Sequence, residues 1–125
     1  MQLLIICFTL LSGFVSALLP ALPTIIEHNG NYFDDGRGAT LFTEQNYQGD
    51  SAFAPPDKCV TVADGPSKVR SIIVEPGRIC SFFVYPDCPH YAVILRFGEK
   101  SNTLGVGVLP LLADNQIRSV HCVLI

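Results

Sequence analysis

Two stretches of this chain close on nearly the same residues, Lys68-Val-Arg-Ser-Ile-Ile-Val and Gln116-Ile-Arg-Ser-Val-His-Cys. The shared element is apolar-Arg-Ser-apolar. A repeated strand of this kind points to two copies of one supersecondary unit, which limits the possible folds more than any bulk property.

The rest of the sequence agrees. From residue 39 onward, short β-type runs alternate with turn residues. The runs are 39–44, 51–54, 59–62, 69–74, 80–85, 91–97, 104–109 and 117–124, and the breaks hold Gly49, Pro55-Pro56, Asp64-Gly65-Pro66, Pro76-Gly77, Pro86-Asp87, Gly98 and Asp114-Asn115. Eight short strands with regular turn signals predict an all-β sandwich or barrel. They divide into two sets of four, each ending in the Arg-Ser strand. Four strands with a long return connection make a Greek key. No sustained helical periodicity is present, although a single helical turn fits residues 109–113.

Two segments precede this domain. Residues 1–17 read as a signal peptide: Leu3 to Leu19 is uncharged, and Val15-Ser16-Ala17 supplies the small residues of a cleavage site. A membrane anchor is the rival, but Pro20 and Pro23 interrupt the run near the length that a spanning helix requires. Residues 18–38 form an arm rich in loop signals, including Asn29-Gly30 and Asp34-Asp35-Gly36. Within it, Thr24-Ile25-Ile26 has the composition of a brief edge strand. The domain proper is 39–125.

Removing the signal peptide takes Cys7 with it and leaves Cys59, Cys80, Cys88 and Cys122. An even number of cysteines in a short exported chain implies disulfides, with three connectivities open. A zinc site at Cys80, Cys88 and His90 has the wrong spacing and the wrong redox compartment. The expected localisation is extracellular.

The first unit opens with Leu41-Phe42-Thr-Glu-Gln-Asn-Tyr47-Gln-Gly49. The spacing Phe42-x4-Tyr47-x-Gly49 describes a folded hairpin: two aromatics stack over the turn, and glycine takes a conformation that a Cβ would penalise. With Arg70-Ser71, this resembles the βγ-crystallin Greek key. The second unit aligns at Phe83 but departs from the pattern, with Cys88 at the second aromatic position and His90 at the glycine. The cysteine layout is similar to that of small secreted fungal proteins of the same group. The resemblance covers residues 39–125 and implies two interlocked Greek keys, with the third strand of each unit beside the fourth strand of the other. That arrangement implies Cys59 paired with Cys122, leaving Cys80 and Cys88 to clasp the second hairpin.

The resemblance also raises calcium. Many microbial members bind it through two Asn/Asp, two variable residues and Ser/Thr-Ser, because the ion requires hard oxygen ligands. The matching residues here are Pro66 to Ser71 and Asp114 to Ser119. The first has no acid, and Arg70 and Arg118 stand at the hydroxyl position. A cation placed where the ion would sit opposes binding. The expectation is no metal and no cofactor, with Asp114 and Asn115 as a weak residual calcium candidate.

Charge narrows the partners. Eleven acids and eight scattered bases give a net charge of −3, which argues against nucleic-acid binding and against attack on anionic membranes. No Gly-x-Ser-x-Gly elbow, His-Glu-x-x-His pair or phosphate loop is present. The three histidines, His28, His90 and His121, lie in unrelated settings. The chain therefore reads as non-enzymatic and monomeric; the resemblance, whose relatives include antifungal and killer toxins, implies an effector or killer-toxin-like module whose partner is a cell-wall component or a host or competitor protein. The alternatives are a structural wall or spore-coat protein, or a small secreted hydrolase. Apolar runs such as Tyr91-Ala-Val-Ile-Leu and Val106-Gly-Val-Leu-Pro-Leu-Leu are expected mainly in the core, with any surplus covered by the arm or, failing that, forming a patch for a partner.

Overall fold

A computed structural model describes residues 26–30, 33, 35–62 and 68–125. The signal peptide of residues 1–17, most of the arm, and Pro66-Ser67 of the first calcium-type motif lie outside them. The strands are β1 (Glu27–His28), β2 (Ala39–Glu44), β3 (Gln48–Ala54), β4 (Cys59–Thr61), β5 (Ser71–Val74), β6 (Arg78–Phe83), β7 (Val93–Glu99), β8 (Leu104–Val106) and β9 (Ser119–Leu124). The arm pairs at Glu27–His28; Thr24 and Ile25 of the expected edge strand lie outside the described residues. The expected helical turn is a series of tight turns closed by Ala113 and Asp114 N–H donating to Pro110 O.

Two sheets form, in the orders β1-β8-β5-β2-β3 and β4-β9-β6-β7. We call them sheet A and sheet B. The first Greek key is β2 to β5 and the second is β6 to β9. Each donates its third strand: β4 lies beside β9, and β8 lies beside β5. The two keys therefore share both sheets, as the resemblance implied.

The registers of the two keys superimpose. In the first, Ala39, Thr40, Leu41 and Phe42 face Val74, Ile73, Ile72 and Ser71. In the second, Cys80, Ser81, Phe82 and Phe83 face Cys122, His121, Val120 and Ser119. Strand alternation then fixes which residues enter the core. Leu41, Ile72, Val74, Phe82, Phe97, Val106, Ile117 and Val120 fill the space between the sheets, together with Cys80 and Cys122. Phe82 and Phe97 stack with centroids 5.7 Å apart.

The outer faces of the two sheets differ. On sheet A, Thr40 and Ile73 face away from the core yet are each 1% exposed. The arm contributes to this cover. Arg37 donates to Thr40 Oγ1 at 3.1 Å, and its guanidinium lies between the rings of Phe33 and Phe53, 4.1 and 4.5 Å from their centroids. Asp35 holds the same guanidinium by two hydrogen bonds to Nε and one to Nη2. On sheet B the corresponding residues, Ser81 and His121, are only half-buried.

One disulfide expectation is corrected here. The bonds are Cys59–Cys88 and Cys80–Cys122, not Cys59–Cys122 and Cys80–Cys88. The placement of β4 beside β9 was right, but the register was not foreseen. Cys59 faces His121, one residue short of Cys122, and a one-residue offset puts two side chains on opposite faces of a sheet. Cys122 points into the core opposite Cys80. Cys59 points outward, where the second hairpin reaches it.

Candidate functional site

Both folded hairpins are built on a buried serine from the repeated Arg-Ser element. Ser71 Oγ donates to Glu44 O and accepts from Tyr47 N–H, at 2.6 and 2.9 Å. Ser119 Oγ donates to Tyr85 O and accepts from Cys88 N–H, at the same two distances. Both serines are 0% exposed, so each hydroxyl satisfies backbone groups that the turn would otherwise leave unpaired. The repeat shows these serines twice in the sequence, but pinning a turn leaves no local sequence signal, because the carbonyls and N–H groups they meet lie 24 to 34 residues away.

The correspondence makes Cys88 the structural counterpart of Tyr47. Both are left-handed, with φ of 51° and 62°. Tyr47 crosses to the third strand of the other key and lies against Gly105, where an added Cβ would come 2.5 Å from its hydroxyl oxygen. Gly105 faces Ile73, just as Cys59 faces His121. Cys59 is thus the counterpart of Gly105, and the second hairpin replaces a ring-on-glycine contact with a covalent bond. The sequence had suggested a cysteine clasp in this hairpin; the clasp instead reaches across to the other key.

The remaining hairpin residues are placed as follows. Phe42 meets Tyr47 edge-on at 5.9 Å. Gly49 has φ of 81°, and a Cβ there would overlap Thr43 Oγ1. Phe83 is buried opposite Ser119. His90 has no such constraint. It opens a 3-10 turn, His90–Ala92, which lengthens this hairpin and removes the need for glycine.

Two ionisable groups connect the arm to the domain. Tyr47 donates to Glu27 Oε1 at 2.8 Å, and its pKa is pushed up to about 12, first by burial and then by that carboxylate. Glu75 is 3% exposed. Its Oε1 accepts from Phe33 N–H at 3.1 Å, while Oε2 has no hydrogen-bond partner. Burial raises the Glu75 pKa above the usual 4.5, against weaker opposition from Phe33 N–H and Arg37. The folded state therefore binds the proton more tightly than the unfolded chain does. The associated stability is fully present below pH 4.5 and is lost as pH rises through the raised value. Denaturant unfolding across pH 3–8 should show this decline in the wild type and its absence in Glu75→Gln.

The calcium-type motif does not fit the ion. Arg70 Nε and Nη2 donate to the two carboxylate oxygens of Asp114, at 2.9 and 3.0 Å. Arg118 Nη1 donates to Asn115 O and Ile117 O. Asn115 Oδ1 is buried without a partner, but the carboxylate beside it is already neutralised by a guanidinium in bidentate geometry. Calorimetry with micromolar calcium should give no isotherm, and Arg70→Ser should be the replacement that creates measurable binding. Among the described residues, no group of three or more His, Cys, Asp or Glu could hold a metal, and no helix is long and apolar enough to cross a membrane.

Part of the apolar surplus of the sequence is exposed rather than covered. Tyr85, Tyr91 and Val93, around the second hairpin, are 55%, 79% and 42% exposed. Leu111 and Leu112, expected mainly in the core, are 88% and 73% exposed beside the buried Leu109. A continuous apolar run gave no signal for which members would leave the core.

No protein-family model and no curated protein sequence matches the chain. Solved structures do. The N-terminal domain of protein S superimposes with a TM-score of 0.53 at 18% identity, covering 70% of this chain and 97% of that one. A βγ-crystallin domain from Clostridium beijerinckii gives 0.52 at 15% identity, covering 69% and 97%. A structure bearing on the evolution of the eye lens βγ-crystallin domain fold gives 0.58 at 18% identity, covering 81% and 99%. With two interlocked Greek keys, paired serine-pinned hairpins and these neighbours, the chain has the βγ-crystallin fold, here held by two disulfides.

Proposed function

We propose that this protein is a secreted, non-enzymatic βγ-crystallin-like module that acts outside the cell by binding, as an effector or antagonist. The observation that carries this reading is the placement of the two disulfides. One bridges neighbouring strands in the core, and the other ties the second hairpin to the first key at the surface. Such bonds persist in oxidising surroundings. They fix a binding surface without the aid of a metal. The Arg70–Asp114 pair is consistent with this, since it puts a resident cation where calcium-dependent relatives of the fold would require the ion.

The reading is tested on protein recovered from culture medium. N-terminal sequencing should start at Leu18. Purified protein should produce a dose-dependent response in competing microbes or in plant tissue. Retention inside the cell, or inert protein across such a panel, would remove the proposal.

A further inference from the structure

We infer that the second folded hairpin, with the adjoining outer face of sheet B, is a binding site for a neutral polysaccharide chain. The inference rests on the reading of the protein as an extracellular binding module and specifies its ligand class.

The molecule contains its own control for this surface. Tyr85 occupies the place that Glu44 holds in the first hairpin, because the two buried serines donate to their respective carbonyls. Tyr91 lies in the 3-10 turn that lengthens the second hairpin, where the first hairpin returns through Asp50. Glu44 and Asp50 are exposed and charged, so the βγ turn does not require apolar side chains at these positions. The two tyrosines and Val93 are nevertheless exposed, at positions where solvation alone would favour charge.

The platform is also rigid. Val84 N–H donates to Ala92 O between the two tyrosines, at 3.2 Å. Cys88 is bonded to Cys59 and held by Ser119. Thr61 Oγ1 accepts from Asp87 N–H at 3.1 Å, which fastens the hairpin tip to β4. A surface ordered in advance loses little entropy on binding, and tyrosine adds contact area with few rotatable bonds.

The neighbouring chemistry points to sugar. On the adjoining outer face of sheet B, Ser81 lies between Arg96 on β7 and His121 on β9, in one register row. This row lies two residues from the end of β6, roughly 7 Å along the strand, and the hairpin that carries the tyrosines begins there. The surface thus offers aromatic faces at one end and hydrogen-bonding groups at the other, over more than one sugar ring. A polysaccharide presents the complement, with C–H faces on its rings and hydroxyls at their edges. Asp87 and Arg96 contribute opposite charges, so neither an acidic nor a basic polymer is favoured. The equivalent face of sheet A is not available, because Thr40 and Ile73 are buried there.

Co-sedimentation of the full secreted protein with insoluble chitin, β-1,3-glucan and cellulose tests the inference. The wild type should be retained on at least one of them. Tyr85→Ala/Tyr91→Ala should weaken retention at least tenfold, while Glu44→Ala/Asp50→Ala leaves it unchanged. An unaltered melting temperature and disulfide map would show that the variants are folded. Should the double variant misfold, the single Tyr91→Ala replacement, at the more exposed ring, decides in the same direction. No retention of the wild type on any of the three polymers, or equal retention of the tyrosine variant, would overturn the inference. So would loss of biological activity on tyrosine replacement in a protein that binds no polysaccharide, since that identifies a protein partner. Retention without any effect on cells would instead remove the effector reading and leave the site standing.

Discussion

A Cys80→Ala/Cys122→Ala protein is expected to melt roughly 15–25 °C below the wild type. The bond closes a loop with a sequence separation of 42. On the chain-entropy estimate, closure of that length contributes ~4 kcal/mol. Both cysteines are 0% exposed among the residues of the core, so their removal also leaves a cavity. Gly38 increases the sensitivity of the site, because a Cβ there would come 2.7 Å from Cys122 Cβ. The chain is therefore packed closely against the disulfide, with little freedom to collapse into the space. Differential scanning calorimetry gives the result directly, and a loss of only a few degrees would mean that the core does not depend on this bond.

The second large effect concerns Cys59–Cys88, and its expected outcome is a partial rescue. Cys59→Ala/Cys88→Ala should lose ~3.5 kcal/mol for a sequence separation of 29. The equivalence of Cys88 with Tyr47, and of Cys59 with Gly105, then suggests a specific repair. Cys59→Gly/Cys88→Tyr installs the first hairpin's own contact in the second. Tyrosine already tolerates the left-handed turn at position 47, where φ is 62°. The ring should restore about 1 kcal/mol over the alanine pair, as burial and aromatic packing exceed the loss of backbone rigidity at glycine. Denaturant titration of the three proteins measures the ordering wild type, Gly/Tyr, Ala/Ala. If Gly/Tyr were the least stable, the two hairpins would not be equivalent.

Much of the architecture was legible because the turn residues and the Arg-Ser repeat are both local signals. Strand β2 is bounded at Ala39 and Glu44 as expected, and the other strands differ at their ends, where pairing rather than composition sets the limit. The exchange of third strands followed from the βγ resemblance. Disulfide pairing did not follow, because it depends on the parity of a register, and a single-residue offset between Cys59 and Cys122 reverses the answer. The site was less legible still. Tyr85 and Tyr91 stand in apolar runs that resemble core strands, and only the folded state shows that Tyr85 takes the place of Glu44 and that Tyr91 lies in an exposed 3-10 turn. Arg70 is visible in the sequence as a cation at the hydroxyl position of the calcium-type motif. Its partner, Asp114, lies 44 residues away and is brought to it by the packing of the two keys.

Non-reducing peptide mapping tests the central claim most directly, that two equivalent Greek keys interlock and that a disulfide takes the place of one ring-on-glycine contact. The account predicts linked peptides containing Cys59 with Cys88 and Cys80 with Cys122. Peptides linking Cys59 to Cys122 and Cys80 to Cys88 would contradict it, because that pairing cannot form in the register that places Cys80 opposite Cys122 and Cys59 opposite His121.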